Sequence, residues 1–186
     1  MLLKKKIYAI VPARGGSKGV KFKNLRKIKY KSLIEITSNF IDDCKIFDGK
    51  ILNSDNKKIL RVGKKLKFIN LNRPKKLSGD IISDYQLLDY TLSKMLKLKI
   101  SADYLIYLQP TSPIRKCNHL LKALRTVIKK NLDGAWSVNK LNSKFHPLKI
   151  LIKKNNYLRL FSKLGERIVA RQMLSGAYIR NGIFYI

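Results

Sequence analysis

Arg14, Gly15, Gly16, Lys18, Gly19 and Lys23 crowd three glycines and three cations into one short stretch of a 186-residue chain. Glycine lets the backbone approach an anion closely and aim successive N–H groups at it, and the cations add positive charge. The chemistry suited to that composition is phosphate binding. The stretch is neither a GxxxxGK[ST] loop nor a GxGxxG fingerprint. A plain glycine-rich turn in a lysine-rich chain has the same composition, so both readings stand. A second candidate is Gln109-Pro110-Thr111-Ser112-Pro113, where two prolines fix φ and remove donors around an amide and two hydroxyls. Such a segment presets Gln109, Thr111 and Ser112 as hydrogen-bonding groups, or it only turns the chain toward the next helix.

Other residues carry less. Asp55 follows a short strand and reads as a helix cap rather than a metal ligand. His119 and His146 stand apart from any serine or carboxylate arrangement, as structural or surface residues do. Cys44 and Cys117 lie in no CxxC or CxxH pattern, and each is expected as a free thiol in a reducing cytosol. Trp136 is expected in the core.

These groups need elements to hold them. The unbroken apolar run Ile7-Tyr8-Ala9-Ile10-Val11 ends at the glycine stretch and reads as a strand buried on both faces, as in a parallel sheet. Leu33, Ile36, Thr37, Phe40, Ile41 and Cys44 then recur at helical spacing behind a possible cap at Ser32. Further strands are expected at 50–53, 67–70, 104–108 and 135–138, and helices at 56–66, 83–98 and 118–129. The helix at 83–98 puts Leu87, Leu88, Thr91, Leu92, Met95 and Leu98 on one face. Strands alternating with helices predict a Rossmann-like α/β fold, its mostly parallel sheet covered on both faces and joined by right-handed crossovers. Ligands of such sheets sit beyond the carboxyl ends of the strands, which is where the glycine stretch and the Gln109 segment fall.

From about 139 to 164 the alternation lapses into two short runs around Asn155-Asn156, an expected hairpin that would serve an oligomer interface. Residues 1–186 thus read as a single domain with one excursion. The run 182–186 reads as a buried parallel strand with no covering helix after it, which predicts a shortened C-terminus or a partner over that end.

Lys and Arg number 41 against 11 Asp and Glu, a formal charge of +30. Such a balance points first to nucleic acid or an anionic membrane. Yet 31 Lys, 22 Ile and 13 Asn share A/T-rich codons, and the lysines are spread along the chain as singles and pairs, which favours a compositional origin over a nucleic-acid partner. Neither a signal peptide nor a run of the ~20 apolar residues that span a membrane is present, and a cytoplasmic, soluble protein is expected.

Taken together, Ile10-Val11-Pro12-Ala13-Arg14-Gly15-Gly16-Ser17-Lys18-Gly19, Lys23-Asn24-Leu25 and Leu108-Gln109-Pro110-Thr111-Ser112-Pro113-Ile114-Arg115 resemble the acylneuraminate cytidylyltransferases, the CMP-sialic acid synthetases. Asn53-Ser54-Asp55-Asn56, Arg73-Pro74, His146-Pro147-Leu148-Lys149, Arg171-Gln172 and Asn181-Gly182 follow in that family's order. The resemblance implies transfer of CMP from CTP to a nine-carbon 2-keto sugar acid such as sialic or legionaminic acid, with release of pyrophosphate. It implies that Arg14, Ser17 and Lys18 hold the triphosphate with Ala13 and Gly16, that Lys23 assists at the α-phosphate and that Asn24 contacts the nucleotide. Arg73 and the stretch around Ser83 would read cytosine and ribose. Gln109, Thr111 and Ser112 would face the sugar acid, with Arg171, Gln172 and Asn181 completing that side. Magnesium would accompany CTP, and the excursion would build a homodimer.

The chain departs from the family in three places. By the resemblance, the family's final segment with its metal-binding aspartates is expected to be missing, Asp84 stands where many relatives have a small hydroxyl residue, and Ile179 replaces an arginine that some sialate-specific members use. These departures frame the alternative, a catalytically incomplete nucleotide- or RNA-binding protein derived from such a synthetase.

Overall fold

The buried apolar run becomes β1 (Ile7–Pro12), whose Ala9, Ile10 and Val11 are closed off from solvent in this computed structural model, which describes residues 5–16 and 19–186. A small hairpin follows, β2 (Lys27–Ile28) and β3 (Lys31–Ser32), and then α1 (Leu33–Cys44). The Ser32 hydroxyl accepts from the Glu35 N–H while the Glu35 carboxylate accepts from the Ser32 N–H, closing a reciprocal cap. The chain continues through β4 (Gly49–Ser54), α2 (Lys57–Lys65), β5 (Ile69–Asn72), α3 (Asp84–Lys97), β6 (Tyr104–Tyr107) and α4 (Cys117–Lys130). It ends through β7 (Trp136–Lys140), β8 (Leu151–Lys154), β9 (Tyr157–Leu160) and β10 (Tyr178–Tyr185).

The main sheet has the order β5-β4-β1-β6-β10-β7. β1 pairs in parallel with β4 and β6, and β4 with β5, as the alternation predicts. The final strand does not follow suit. β10 runs antiparallel to β6, with Tyr185 opposite Tyr107, so the parallel strand expected at 182–186 is corrected to an antiparallel one. An antiparallel neighbour needs no crossover helix.

The chain divides into two units, Met1–Trp136 with Gly182–Ile186, and Ser137–Asn181. The first has a continuous core in which Ile7, Val11, Ile34, Leu52, Ile106 and Leu120 are among the buried residues. Each such side chain contributes about 1.5–3 kcal/mol when fully buried. The second contains the β8–β9 hairpin, turned by Asn155 and Asn156 with φ of 49° and 63°, where the sequence predicts it. Within residues 137–181, all described, only His146 and Gly165 are buried.

Several sequence expectations give way. Cys44, at the end of α1, and Cys117, at the start of α4, are joined as a disulfide with Cα atoms 5.6 Å apart, not left as separate thiols. Spacing alone could not bring together residues 73 positions apart. Trp136 is 60% exposed because β7 is an edge strand, and its ring meets the edge of Tyr185 at 6.2 Å between centroids. In α3, Leu87, Thr91 and Met95 face inward at four-residue steps, which turns Leu92 and Leu98 to solvent. β5 begins two residues late because Lys67 takes a left-handed turn, φ 59°. Among the described residues no helix is long and apolar enough to cross a membrane.

Candidate functional site

A cavity of about 580 Å³ opens where β1 and β6 end, the position an open α/β sheet reserves for its ligand. Its wall takes Arg14, Gly19, Lys23 and Asn24 from the loop after β1, Arg73 from the loop after β5, and Gln109 and Thr111 from the loop after β6. Ser83 and Asp84 reach it from the start of α3. The two segments singled out in the sequence therefore face one space.

The glycine loop is tied down before any ligand arrives. The Ala13 N–H donates to the Asn53 carbonyl at 3.0 Å, and the Gly15 N–H donates to the Asp55 carboxylate at 2.8 Å. Ala13 is wholly buried, so its side chain belongs to the core and any ligand would meet only its backbone. Gly15 has to be glycine for a packing reason: a Cβ there would lie 2.8 Å from the Asn56 Cβ. A Cβ at Gly16 or Gly19 would meet nothing within 4 Å among the described residues, which leaves room for an anion to approach. Ser17 and Lys18, expected at the triphosphate, lie outside the described residues.

Asp55 is not the cap of α2. That role falls to Asn56, whose side chain accepts from the Lys58 and Ile59 N–H groups. Asp55 instead reaches back to Gly15 and stands 3.9 Å from the Arg73 Nη2. Arg73 is buried, and its Nε and Nη2 have no hydrogen-bond partner among the described residues. Burial pulls its guanidinium pKa down, and the Asp55 charge opposes that. Arg73 also lines the cavity, where its positive charge suits an incoming carbonyl or anion.

The remaining cavity groups are preset to different degrees. The Asn24 amide donates to the Arg14 carbonyl at 3.1 Å, holding the loop's two limbs together. Arg14 itself pairs with Asp80 at 2.8 Å and donates to the Gly79 carbonyl at 3.2 Å, a partly exposed pair that an incoming phosphate can exchange at little cost. Lys23 stands exposed at the rim. Ser83 caps α3 through Gln86, so its hydroxyl already has a structural task. The Tyr107 hydroxyl donates to the Asp84 carboxylate at 2.7 Å, and burial, with that bond, pushes the phenol pKa well up.

Gln109 is positioned from behind by Arg115. The Arg115 guanidinium, buried and shifted down to about 10 by desolvation, donates to the carbonyls of Gln109 and Ile183. Gly182, at φ +69°, lies under the Gln109 side chain, where a Cβ would come 2.8 Å from Oε1. The Ser112 N–H donates to the Gln109 carbonyl, and Ser112 itself is not among the residues that line the cavity.

Arg171, Gln172 and Asn181 lie in the second unit. Arg171 helps line a separate pocket of about 260 Å³ with Lys140 and His146, while Gln172 is exposed. The Asn181 amide is engaged across its own unit, accepting from the Ser137 hydroxyl at 2.6 Å and donating to Asn139 at 2.9 Å. His146 is buried, and its Nδ1 accepts from the Leu148 N–H, which makes it a turn cap.

Sequence reasoning missed Asp55 as the tie of the glycine loop, Asp80 as the counter-ion of Arg14, and Arg115 as the support of Gln109. The only signal was the position of Asp55 and Arg115 beside the expected loops. Among the described residues no three His, Cys, Asp or Glu side chains gather as a metal site. Asp80 and Asp84 are the carboxylates on the cavity wall, which suits a magnesium ion that takes most of its ligands from phosphate and water.

Comparison with known proteins agrees with this geometry. The family described as Cytidylyltransferase matches residues 8–176. The N-acylneuraminate cytidylyltransferase of Escherichia coli O18:K1:H7 (strain RS218) is 27% identical over 99% of this chain and 44% of its own length. The pseudaminic acid cytidylyltransferase of Campylobacter jejuni (strain 81-176) is 27% identical over 95% of this chain and 75% of its own. The chain thus spans less than half of the E. coli relative. In fold it is similar to a CMP:2-keto-3-deoxy-manno-octonic acid synthetase solved with CTP, with a TM-score of 0.68, 16% identity, and coverage of 97% of this chain and 73% of that one.

Proposed function

The chain belongs to the cytidylyltransferase family, and from that premise we propose that it transfers CMP from CTP to a hydroxyl of a nine-carbon 2-keto sugar acid, releasing pyrophosphate. The observation that carries the reading is the single cavity shared by the cationic glycine loop, buried Arg73 and the Gln109 loop. The names of the relatives, N-acylneuraminate and pseudaminic acid cytidylyltransferases, support the acceptor class.

In this reading the sugar hydroxyl oxygen attacks the α-phosphorus, and the bond to the bridging oxygen of pyrophosphate breaks. Negative charge grows on the phosphate oxygens and on the departing group, so preset cations lower the barrier most where it gathers. Arg14 exchanges Asp80 for phosphate, and Lys23 and Lys18 add charge along the chain of phosphates. Asn24 keeps the loop closed around them. Arg73, with Ser83 and Asp84 beside it, faces the cytidine end. Gln109 and Thr111 orient the acceptor, and Arg171, Gln172 and Asn181 are assigned to that acceptor only by resemblance. Magnesium would be held by Asp80 or Asp84 together with phosphate oxygens, and would supply charge neutralisation at the phosphates when bound.

A homodimer and a cytoplasmic location belong to the same reading. The dimer is supported by the second unit, whose Tyr157, Leu158 and Val169 are 70%, 68% and 87% exposed, a surface that suits a second copy.

The test is pyrophosphate release from CTP and magnesium with a panel of nine-carbon 2-keto sugar acids, alongside CTP binding by parent and Arg14→Ala. Release with one acid identifies the acceptor. Arg14→Ala should keep its fold and lose about ten- to hundredfold in CTP affinity, the worth of a charge-assisted hydrogen bond. CTP binding equal to that of the parent would remove Arg14 from the site.

A further inference from the structure

We infer that Asp55 is a positioning residue that fixes the glycine loop and Arg73 relative to each other, so that the two ends of a bound nucleotide are set by one carboxylate. The inference rests on the reading of the cavity as a nucleotide site. Asp55 Oδ1 accepts from the Gly15 N–H at 2.8 Å and stands 3.9 Å from the Arg73 Nη2. Gly15 and Arg73 sit on loops after different strands, and their backbones are each tied to the end of β4 nearby. The Arg73 N–H donates to the Ser54 carbonyl at 2.8 Å, and the Ala13 N–H to the Asn53 carbonyl at 3.0 Å. The three residues Asn53, Ser54 and Asp55 thus anchor both loops, the first two through carbonyls and the third through its side chain.

Charge explains why the third anchor is an acid. The Arg73 side chain is 5% exposed, that of Asp55 22%, and Arg73 lines the cavity while its Nε and Nη2 stay buried without a hydrogen-bond partner among the described residues. A buried guanidinium with no counter-ion would swing toward water or draw water in. Asp55 stands close enough to offset that charge, 3.9 Å from the Nη2, without a hydrogen bond to it. An acid beside a site for a polyanion would by itself weaken binding. Its retention there is accounted for by what it holds in place.

The two roles separate chemically. An asparagine can still accept from the Gly15 N–H but offers Arg73 no charge, whereas alanine does neither. The measurement is the affinity of parent, Asp55→Asn and Asp55→Ala for three probes, CTP, inorganic tripolyphosphate and cytidine, with the circular dichroism spectrum and melting midpoint of each unliganded protein. Asp55→Ala should weaken tripolyphosphate and cytidine alike, each by about tenfold, the scale of coupling between residues in contact. Asp55→Asn should recover tripolyphosphate binding and leave cytidine weakened. Parent-like binding of both probes by either variant overturns the proposal, as does tighter tripolyphosphate binding, which is what loss of a merely repulsive charge would give. If Asp55→Ala does not fold, the asparagine variant decides alone by the same split. A parent that binds none of the three probes overturns the nucleotide reading, and this inference with it.

Discussion

Gly182 shows how a residue far from the glycine loop bears on the site. Its φ of +69° costs an L-residue about 1–2 kcal/mol. A methyl group there would also press on the Gln109 amide. Gly182→Ala should therefore lower the unfolding free energy by that amount, read as a lower urea midpoint with the m-value unchanged, and weaken acceptor binding more than CTP binding. Equal loss of both affinities would separate Gln109 from the acceptor side. Residues of this kind were partly legible. Arg14, Lys23, Gln109 and Thr111 could be named in advance because glycine, proline and charge leave a local signature, Asn24 and Arg73 could be named only through the family resemblance, and the cavity gathers all six. Asp80 and Arg115 act across 66 and 68 positions, on Arg14 and on the Ile183 carbonyl, and no local pattern records a partner at that distance. Asp55 reads from sequence as the cap of α2, and the structure gives that role to Asn56 because asparagine at the next position caps equally well.

At the scale of elements, α1 rests on its reciprocal cap. The Glu35 carboxyl is held below the usual glutamate range by the two bonds it shares with Ser32. A folded-state pKa that is depressed means stability that is present above the ordinary glutamate range and lost as the pH falls through the folded value. Glu35→Ala should thus cost about 0.5–1 kcal/mol at neutral pH, after allowance for the exposure of the side chain. Parent and variant should converge as the solution is acidified, and a gap that persists at acid pH would assign the cost to lost side-chain contacts rather than to the carboxylate charge. The helices were read well because capping and four-residue spacing are local. The strands were read to within a few residues, and the direction of β10 was not readable. A run of apolar residues is the same in either direction, and only the partner strand decides.

Across the whole molecule, charge and apolar surface act against each other in the second unit. Residues 137–181 carry ten Lys and Arg against a single acid, Glu166, together with the exposed apolar side chains that suit a second copy. Two such surfaces repel at low ionic strength, and salt screens them over about 10 Å at 0.1 M. Association should therefore tighten as salt is raised, and Leu158→Glu should shift the sedimentation profile toward monomer. A dimer that falls apart with added salt would show that ion pairs, not apolar contact, hold it. The sheet order has a different consequence, for the time course of synthesis. β7 emerges well before β10, yet β10 is its neighbour and separates it from β6. At roughly 5–20 residues per second a ribosome leaves β7 without its partner for on the order of seconds. The half of the sheet built on β1, β4, β5 and β6 can form in that interval, and the edge of β6 stays open to other chains until β10 arrives to close it.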